Sequence, residues 1–403
     1  MNKTLSLAWR RAVTAATTGL LLAAGATAQT AAPAWLQPGF DAAQSWANPQ
    51  ERTLKPRNVG QLSQLWSQQL GQFYVGQTTQ SEGVLYACSN LYGLSALDAA
   101  SGATLWTRGG LGGNCGAATL TDSVAYVTTR PPVPSQSTLS ALNRADGSTL
   151  WSVPVPNPQA NSLGFQDPTL AGKRLYVADG RSGISAFDAA TGALHWQAAT
   201  GMLNNQAAVA GGMVYLSTWG NGGSEPHRVF AFSAKDGTPK WTKPTDLGNS
   251  QYPPAVAAGR VFAGSDSGTV YAYDAATGKP LWHTAFSGYV SAPLVAIEQA
   301  LFVNTGTRTV SAIDARNGQV RWSTTLPNSA AVSSNLVLAN GVLFFTITDF
   351  GGVHRLTTMD ARTGQPGAIL PEILWGSHAQ VTVVEGRVHV STSQGFLQVY
   401  GLK

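Results

Sequence analysis

The fold is decided by the stretch Val270–Trp282, which reads Val-Tyr-Ala-Tyr-Asp-Ala-Ala-Thr-Gly-Lys-Pro-Leu-Trp. An alternating apolar run ends at Asp274, a turn carrying Gly278 follows, and a second short run ends at Trp282. The pattern therefore predicts two strands joined by a tight turn. It returns at Leu94–Trp106, Leu139–Trp151, Ile184–Trp196, Val229–Trp241 and Val310–Trp322, and a copy without the tryptophan lies near Thr357–Ile369.

The closing tryptophans recur at intervals of 40 to 45 residues. A period of about 40–45 residues built from four short strands is typical of β-propeller blades. One such repeat is too small to bury its own apolar faces, so it must stack on its neighbours. We expect these side chains to lie between blades: Trp66, Trp106, Trp151, Trp196, Trp241, Trp282 and Trp322.

The number of blades follows from the innermost strands. The repeat around Trp66 has no strands before it, and the chain ends at Tyr400 without a closing strand. We therefore predict an all-β, eight-bladed β-propeller of four-stranded antiparallel blades, in which an N-terminal strand around Gln64–Gln69 closes the last blade. The eight innermost strands are expected near Val75–Gln80, Ala117–Leu120, Pro168–Ala171, Ala207–Ala210, Ala255–Ala258, Leu294–Ile297, Leu336–Ala339 and Val381–Val384.

The N-terminus has the pattern of an export signal. A basic start, a short apolar core and Ala26-Thr27-Ala28 predict a signal peptide over residues 1–28. The core is too short for a membrane span. We expect a mobile lead-in over residues 29–48, the propeller over 49–403, a periplasmic or extracellular location, and no membrane span after cleavage. Removing the three basic residues of the signal lowers the net charge from +5 to +2, and no basic run remains that would favour nucleic acid.

The repeated phrase Ala-x-Asp-Ala-x-Thr-Gly-x-x-x-Trp resembles that of the pyrroloquinoline-quinone (PQQ)-type eight-bladed propellers, over about residues 48–403. This superfamily includes quinoprotein alcohol dehydrogenases, the propeller lipoprotein of the outer-membrane β-barrel assembly machinery, and exported proteins without known activity. The resemblance implies the fold but leaves the function open.

Two cysteines bear on whether the protein is an enzyme. Family dehydrogenases have two adjacent cysteines before the first strand of the second blade, where this chain has Asn114 and Cys115. Cys88 ends a strand whose end should lie on the same face as Cys115, which favours a structural Cys88–Cys115 disulfide over two separate buried thiols. We expect no cofactor; PQQ with Ca²⁺ is the expectation only for the dehydrogenase alternative.

Polar side chains are expected around the axis, where the innermost strands begin. They could hold a small ligand or a peptide, or only the axial water that a propeller channel needs. The candidate positions are Gln77, Asp167, Asn205, Gln206, Ser334, Asn335 and Gln380, with Tyr74, Tyr252 and Tyr289 just before three of the strands.

Three functional hypotheses follow. The first is a non-catalytic exported propeller, expected to be a monomer, that binds a protein partner or a small ligand in the cell envelope or the extracellular space. The second is a PQQ-dependent dehydrogenase oxidising alcohols or sugars. The third is an outer-membrane assembly factor, although the chain has no cysteine near the signal cleavage site for a lipid anchor.

Overall fold

The computed structural model describes residues 34–111, 114–130, 137–156, 166–180, 183–219, 227–245, 252–306, 308–327, 330–373 and 378–403. The predicted signal peptide and residues 29–33 lie outside the described residues. Within the described part, no helix combines the length and apolar composition needed to cross a bilayer.

Eight antiparallel sheets, each with a four-stranded core, form the propeller, as the sequence predicts. The innermost strands are Thr79–Ser81, Thr119–Leu120, Thr169–Ala171, Ala208–Ala210, Ala255–Ala257, Val295–Ala296, Val337–Ala339 and Gln380–Val384. The second strands are Val84–Ser89, Val124–Arg130, Arg174–Ala178, Met213–Trp219, Arg260–Gly264, Ala300–Thr305, Val342–Thr348 and Arg387–Ser391.

The third strands carry the first half of the repeated phrase, and the outer strands carry its tryptophan. The third strands are Gly93–Asp98, Thr138–Asn143, Gly183–Asp188, Arg228–Ser233, Thr269–Asp274, Thr309–Asp314, His354–Asp360 and Phe396–Gly401. The outer strands are Thr104–Arg108, Thr149–Pro154, Leu194–Ala199, Pro239–Pro244, Pro280–Ala285, Val320–Thr325, Pro366–Glu372 and Ser63–Gln69. Short additional elements are the strands Ala47–Asn48, Asn114–Cys115, Leu203–Asn204 and Ala331–Val332 and the 3₁₀ turn Val59–Gln61.

The repeated turn joins neighbouring blades. Asp274 accepts hydrogen bonds from the backbone and hydroxyl of Thr277 at 2.8 and 2.7 Å, which fixes the turn. Gly278 has φ +68°, and a Cβ there would come within 2.6 Å of the Trp241 ring of the preceding blade. The Trp241 Nε1–H donates to the carbonyl oxygen of Ala275 at 3.0 Å. Glycine is therefore required both by the backbone conformation and by the tryptophan that packs on it.

The ring closes where the sequence predicts. Ser63–Gln69 pairs antiparallel with Phe396–Gly401, so the outer strand of blade 8 comes from the N-terminal part of the chain. Trp66 of this strand lies against Gly102 of blade 1, in the same contact that the other blade tryptophans make. The outer strand of blade 7 has no tryptophan. In blade 8 the third and outer strands come from opposite ends of the chain, so no repeated turn joins them for such a tryptophan to pack on.

Residues 34–48, which we call the axial segment, correct the prediction of a mobile lead-in. The segment runs across the propeller axis and is bonded to the innermost strand of every blade. Trp35 within it is fully buried. The bonds, in blade order, are Trp35 with Gln80 (2.9 and 3.0 Å), Leu36 with Leu120 (2.7 Å), the Gln37 side chain with Leu170 (2.9 Å), Ala42 with Val209 (2.6 Å), Ala43 with Val256 (2.9 Å), Ser45 with Ala296 (2.9 Å), Trp46 with Leu338 (3.0 Å) and the Asn48 side chain with Val383 (2.8 Å).

The backbone of the axial segment is held in an unfavourable conformation. Phe40, Gln44 and Trp46 have φ values of 78°, 58° and 53°, in the left-handed region that non-glycine residues rarely adopt. Such residues cost on the order of 1–3 kcal/mol each and persist only where surrounding contacts impose them. The bonds to eight separate strands supply that constraint.

A buried histidine lies at the closing interface between blades 8 and 1. His389 is fully buried, and its Nδ1 lies 3.2 Å from the Thr78 hydroxyl of blade 1. Burial lowers the pKa of His389 to about 3, with the positive charge of Arg387 adding to the effect. The neutral imidazole is therefore the form that the folded ring accommodates.

This histidine predicts acid sensitivity of the closed ring. Because the folded pKa lies below the unfolded value of 6.5, its contribution to stability is complete above pH 6.5 and is lost as the pH falls towards 3. Between pH 7 and pH 5 the wild type should lose about 2 kcal/mol of unfolding free energy that His389→Gln does not lose. Urea unfolding at both pH values measures this, with His283→Gln on an exposed outer strand as the control. Equal losses in wild type and His389→Gln would contradict the assignment.

Candidate functional site

The seven polar residues predicted at the mouth of the channel surround one cavity. Its volume is about 750 Å³, within the range of roughly 300–1,000 Å³ typical of small-molecule pockets. The three tyrosines predicted beside them line the same cavity. The members are Gln77, Asp167, Asn205, Gln206, Ser334, Asn335 and Gln380, with Tyr74, Tyr252 and Tyr289.

The cavity is closed below by the axial segment. The segment bonds to the innermost strands about three residues beyond the positions that form the mouth, so it lies deeper along the axis. Pro38 and Trp46 of this segment line the cavity. The chain's own N-terminal region therefore forms the floor of the cavity.

Several mouth residues are committed to holding neighbouring blades together. Asn335 donates to the Val381 carbonyl oxygen at 3.0 Å and accepts from the Val381 N–H at 2.8 Å, joining blades 7 and 8. Asn205 donates to the Tyr252 carbonyl oxygen at 3.1 Å, joining blades 4 and 5. These amides have structural roles whether or not a ligand binds.

Asp167 is one of two acidic residues in the described lining of the cavity, the other being Asp266. Its carboxylate lies against the backbone of blade 2, where a Cβ at Gly116 would come within 1.7 Å of its Oδ1. Burial raises the pKa of Asp167 to about 7, and a hydrogen bond from the Ala117 backbone opposes this only in part. The carboxyl therefore changes charge near neutral pH.

Other lining residues were not predicted. Asp266 and His378 reach the cavity from loops on the mouth face, which carries the connections between second and third strands and between blades, and His354 begins the third strand of blade 7 at the same face. His354 Nδ1 lies 2.7 Å from the Thr348 hydroxyl. These loops differ from blade to blade, so the repeat carries no signal for them. Pro38 and Trp46 were missed because the axial segment was interpreted as mobile.

The two cysteines are joined by a disulfide at this same face. Cys88 is the penultimate residue of the second strand of blade 1, Cys115 lies in the short strand Asn114–Cys115 of blade 2, and their Cα atoms are 5.8 Å apart. The bridge closes a loop with a sequence separation of 27, which in the chain-entropy model contributes about 3–4 kcal/mol. It links the two blades beside Gly116, against which Asp167 packs.

PQQ fits this cavity poorly. The cofactor carries three carboxylates and in dehydrogenases is held with a Ca²⁺ ion, so its site needs cationic side chains and several oxygen ligands. The described lining contains no lysine or arginine, and its only carboxylates are Asp167 and Asp266. No group of three or more potential metal ligands occurs among the described residues.

The fold and the axial cavity define an eight-bladed β-propeller of the PQQ-repeat class. The sequence model described as "outer membrane protein assembly factor BamB" matches residues 61–162, 135–252 and 244–400, and the chain belongs to this family.

Comparisons with individual proteins and solved structures give low sequence identities. The chain is 26% identical to "Outer membrane protein assembly factor BamB" of Yersinia pestis over 67% of this chain and 71% of that protein. The crystal structure of BamB from Moraxella catarrhalis has a TM-score of 0.63 at 21% identity, covering 85% of this chain and 98% of that one. A europium-containing methanol dehydrogenase has a TM-score of 0.72 at 14% identity, covering 92% and 98%. Such identities between structures establish the shared fold and no activity.

The raised pKa of Asp167 predicts a specific pH dependence. Because the folded pKa near 7 exceeds the unfolded value of 3.8, the associated stability is complete below about pH 4 and is lost as the pH rises through 7. Raising the pH from 5 to 8 should therefore destabilise the wild type relative to Asp167→Asn. Urea unfolding at the two pH values measures the difference, and the exposed Asp122→Asn controls for loss of a surface charge. Parallel behaviour of wild type and Asp167→Asn would show that the carboxyl titrates normally.

Proposed function

We propose that this protein is an interaction scaffold of the cell envelope that takes part in the assembly of outer-membrane proteins. Family membership over residues 61–400 supports this function over an unspecified exported scaffold, because the family description and the relative from Yersinia pestis both name an assembly factor. The proposal places the protein in the periplasm, in keeping with the export signal that the sequence predicts.

The observation that carries the proposal is a cluster of exposed apolar side chains on the mouth face of blade 1. It consists of Phe73, Tyr74, Leu91 and Tyr92, which lie on two adjacent loops. Asn90 connects these loops: its side chain accepts from the Phe73 N–H at 3.4 Å, and its backbone N–H donates to the Tyr74 carbonyl oxygen at 3.4 Å. A contiguous exposed apolar surface on a rigid scaffold supports protein binding.

The opposite face gives a contrast. It carries the repeated turns, with exposed polar side chains such as Asn317 and Gln319, and the exposed apolar side chains that follow these turns, such as Leu150 and Leu281, lie singly on different blades. The proposed partner therefore approaches the mouth face near blade 1 rather than the face of the turns. The disulfide between blades 1 and 2 lies close to this surface and restrains it.

Site-directed photocrosslinking tests this function. A photoreactive amino acid at Tyr92 should crosslink to a component of the outer-membrane assembly machinery or to an outer-membrane protein in transit, whereas the same group at Gln319 should not. Leu91→Ser with Tyr92→Ser should weaken the association by about 1–2 kcal/mol without lowering stability, since interface side chains of this kind contribute at that level. Crosslinks of equal yield from both faces, or crosslinks at Tyr92 to proteins unrelated to outer-membrane assembly, would rule the proposal out.

A further inference from the structure

The charge of the axial cavity restricts what it can hold. Its described lining includes the carboxyl groups of Asp167 and Asp266 and the imidazoles of His354 and His378, and neither lysine nor arginine. Among the described lining residues, no cationic side chain would offset the desolvation of a phosphate or a carboxylate buried here. An anionic occupant is therefore disfavoured.

Two buried donors in the lining have no partner. Trp46 is 5% exposed and its Nε1–H makes no hydrogen bond, and Gln77 is 6% exposed and its Nε2 makes none. The Gln77 Oε1 is occupied, because it accepts from the Gly39 N–H of the axial segment at 3.4 Å. A buried donor without an acceptor costs on the order of 1–3 kcal/mol. Trp46 and Gln77 both line the cavity, so we expect an occupant with acceptor oxygens to pair with these donors.

Aromatic side chains line the upper wall. Tyr289 is 43% exposed, so much of its side chain remains open to an occupant. Tyr252 is fixed by donating its hydroxyl hydrogen to the Ser291 carbonyl oxygen at 2.7 Å. Rings held in this way offer flat apolar surfaces at small entropic cost. Amides such as Gln206 and Gln380, which can both donate and accept, line the same cavity.

We propose that the axial cavity is a binding site for a short neutral oligosaccharide. The hydroxyl groups of a sugar both accept and donate, which matches the unpartnered donors of Trp46 and Gln77 and the amides of the wall. The C–H faces of its rings match the tyrosines. A purely apolar ligand would leave the two donors unpaired, and a simple cation would offer them no acceptor.

This site shares only Tyr74 with the protein-binding surface proposed above. The cavity lies on the axis with the axial segment as its floor, whereas Phe73, Leu91 and Tyr92 of the apolar cluster are not part of its lining. We expect the sugar to be bound rather than oxidised, since the described lining does not match the requirements of a quinone cofactor. Failure of one proposal leaves the other testable by its own experiment.

Ligand-observed NMR and calorimetry on the intact mature chain test the site. The neutral probes are cellotriose, maltotriose and chitotriose; the charged probes are trigalacturonate, PQQ with Ca²⁺, and choline. We expect at least one neutral trisaccharide to bind with a Kd below about 1 mM, and each charged probe to bind more weakly.

Paired variants locate the binding. Tyr289→Ala should weaken binding of the trisaccharide about tenfold, while Tyr92→Ala, which removes a ring of similar exposure outside the cavity, should leave it unchanged. Gln77→Met, which removes the unpartnered donor, should also weaken it several-fold, with Gln319→Ala on the opposite face as the control. Because Gln77 also contacts the axial segment, the exposed Tyr289 provides the variant that does not risk the fold.

Three results would overturn the proposal. One is no binding of any neutral trisaccharide up to about 10 mM. Another is tighter binding of a charged probe. The third is trisaccharide binding that Tyr289→Ala leaves intact, which would place the sugar elsewhere on the protein.

Discussion

The structure depends on the covering of each blade by two neighbours. A four-stranded blade exposes two apolar faces, and only a closed ring covers both faces of all eight. Closure here is made by pairing Ser63–Gln69 with Phe396–Gly401 and by seating Trp66 on Gly102 of blade 1. Without that strand, blade 8 would lose its outer edge and blade 1 would lose its neighbour, so every other interface rests on this contact between the two ends of the chain.

The same N-terminal region also determines the shape of the binding cavity on the propeller axis. Residues 34–48 bond to all eight innermost strands before the chain turns outwards to close blade 8. The segment closes one end of the axial channel, which therefore becomes a cavity. Trp46 of the segment lines this cavity, and its Nε1–H has no hydrogen-bond partner. Stability and binding are thus linked, because the residues that hold the blades around the axis are also part of the cavity wall.

The repeat made most of the fold predictable from the sequence. Asp274, Gly278 and Trp282 have fixed places in a turn and an interface, so their recurrence gives the number of blades, and the missing outer strand at the C-terminus gives the closure. The mouth residues could be located by counting from the start of each innermost strand. The axial segment could not be predicted in this way, because it contacts eight separate strands and its own sequence therefore has no repeating pattern. Asp266 lies in a connection between a second and a third strand, and His354 directly follows another, and these connections differ between blades.

Native-state hydrogen exchange of the axial bonds tests the central claim most directly. The amides of Leu120, Val209, Val256, Ala296 and Leu338 donate to the axial segment, each in a different blade. The account predicts slow exchange at all five in the intact chain, and fast exchange at all five together once residues 29–46 are deleted, while amides within the third strands stay protected. Fast exchange at these amides in the intact protein, or no change on deletion, would contradict the placement of this segment on the axis.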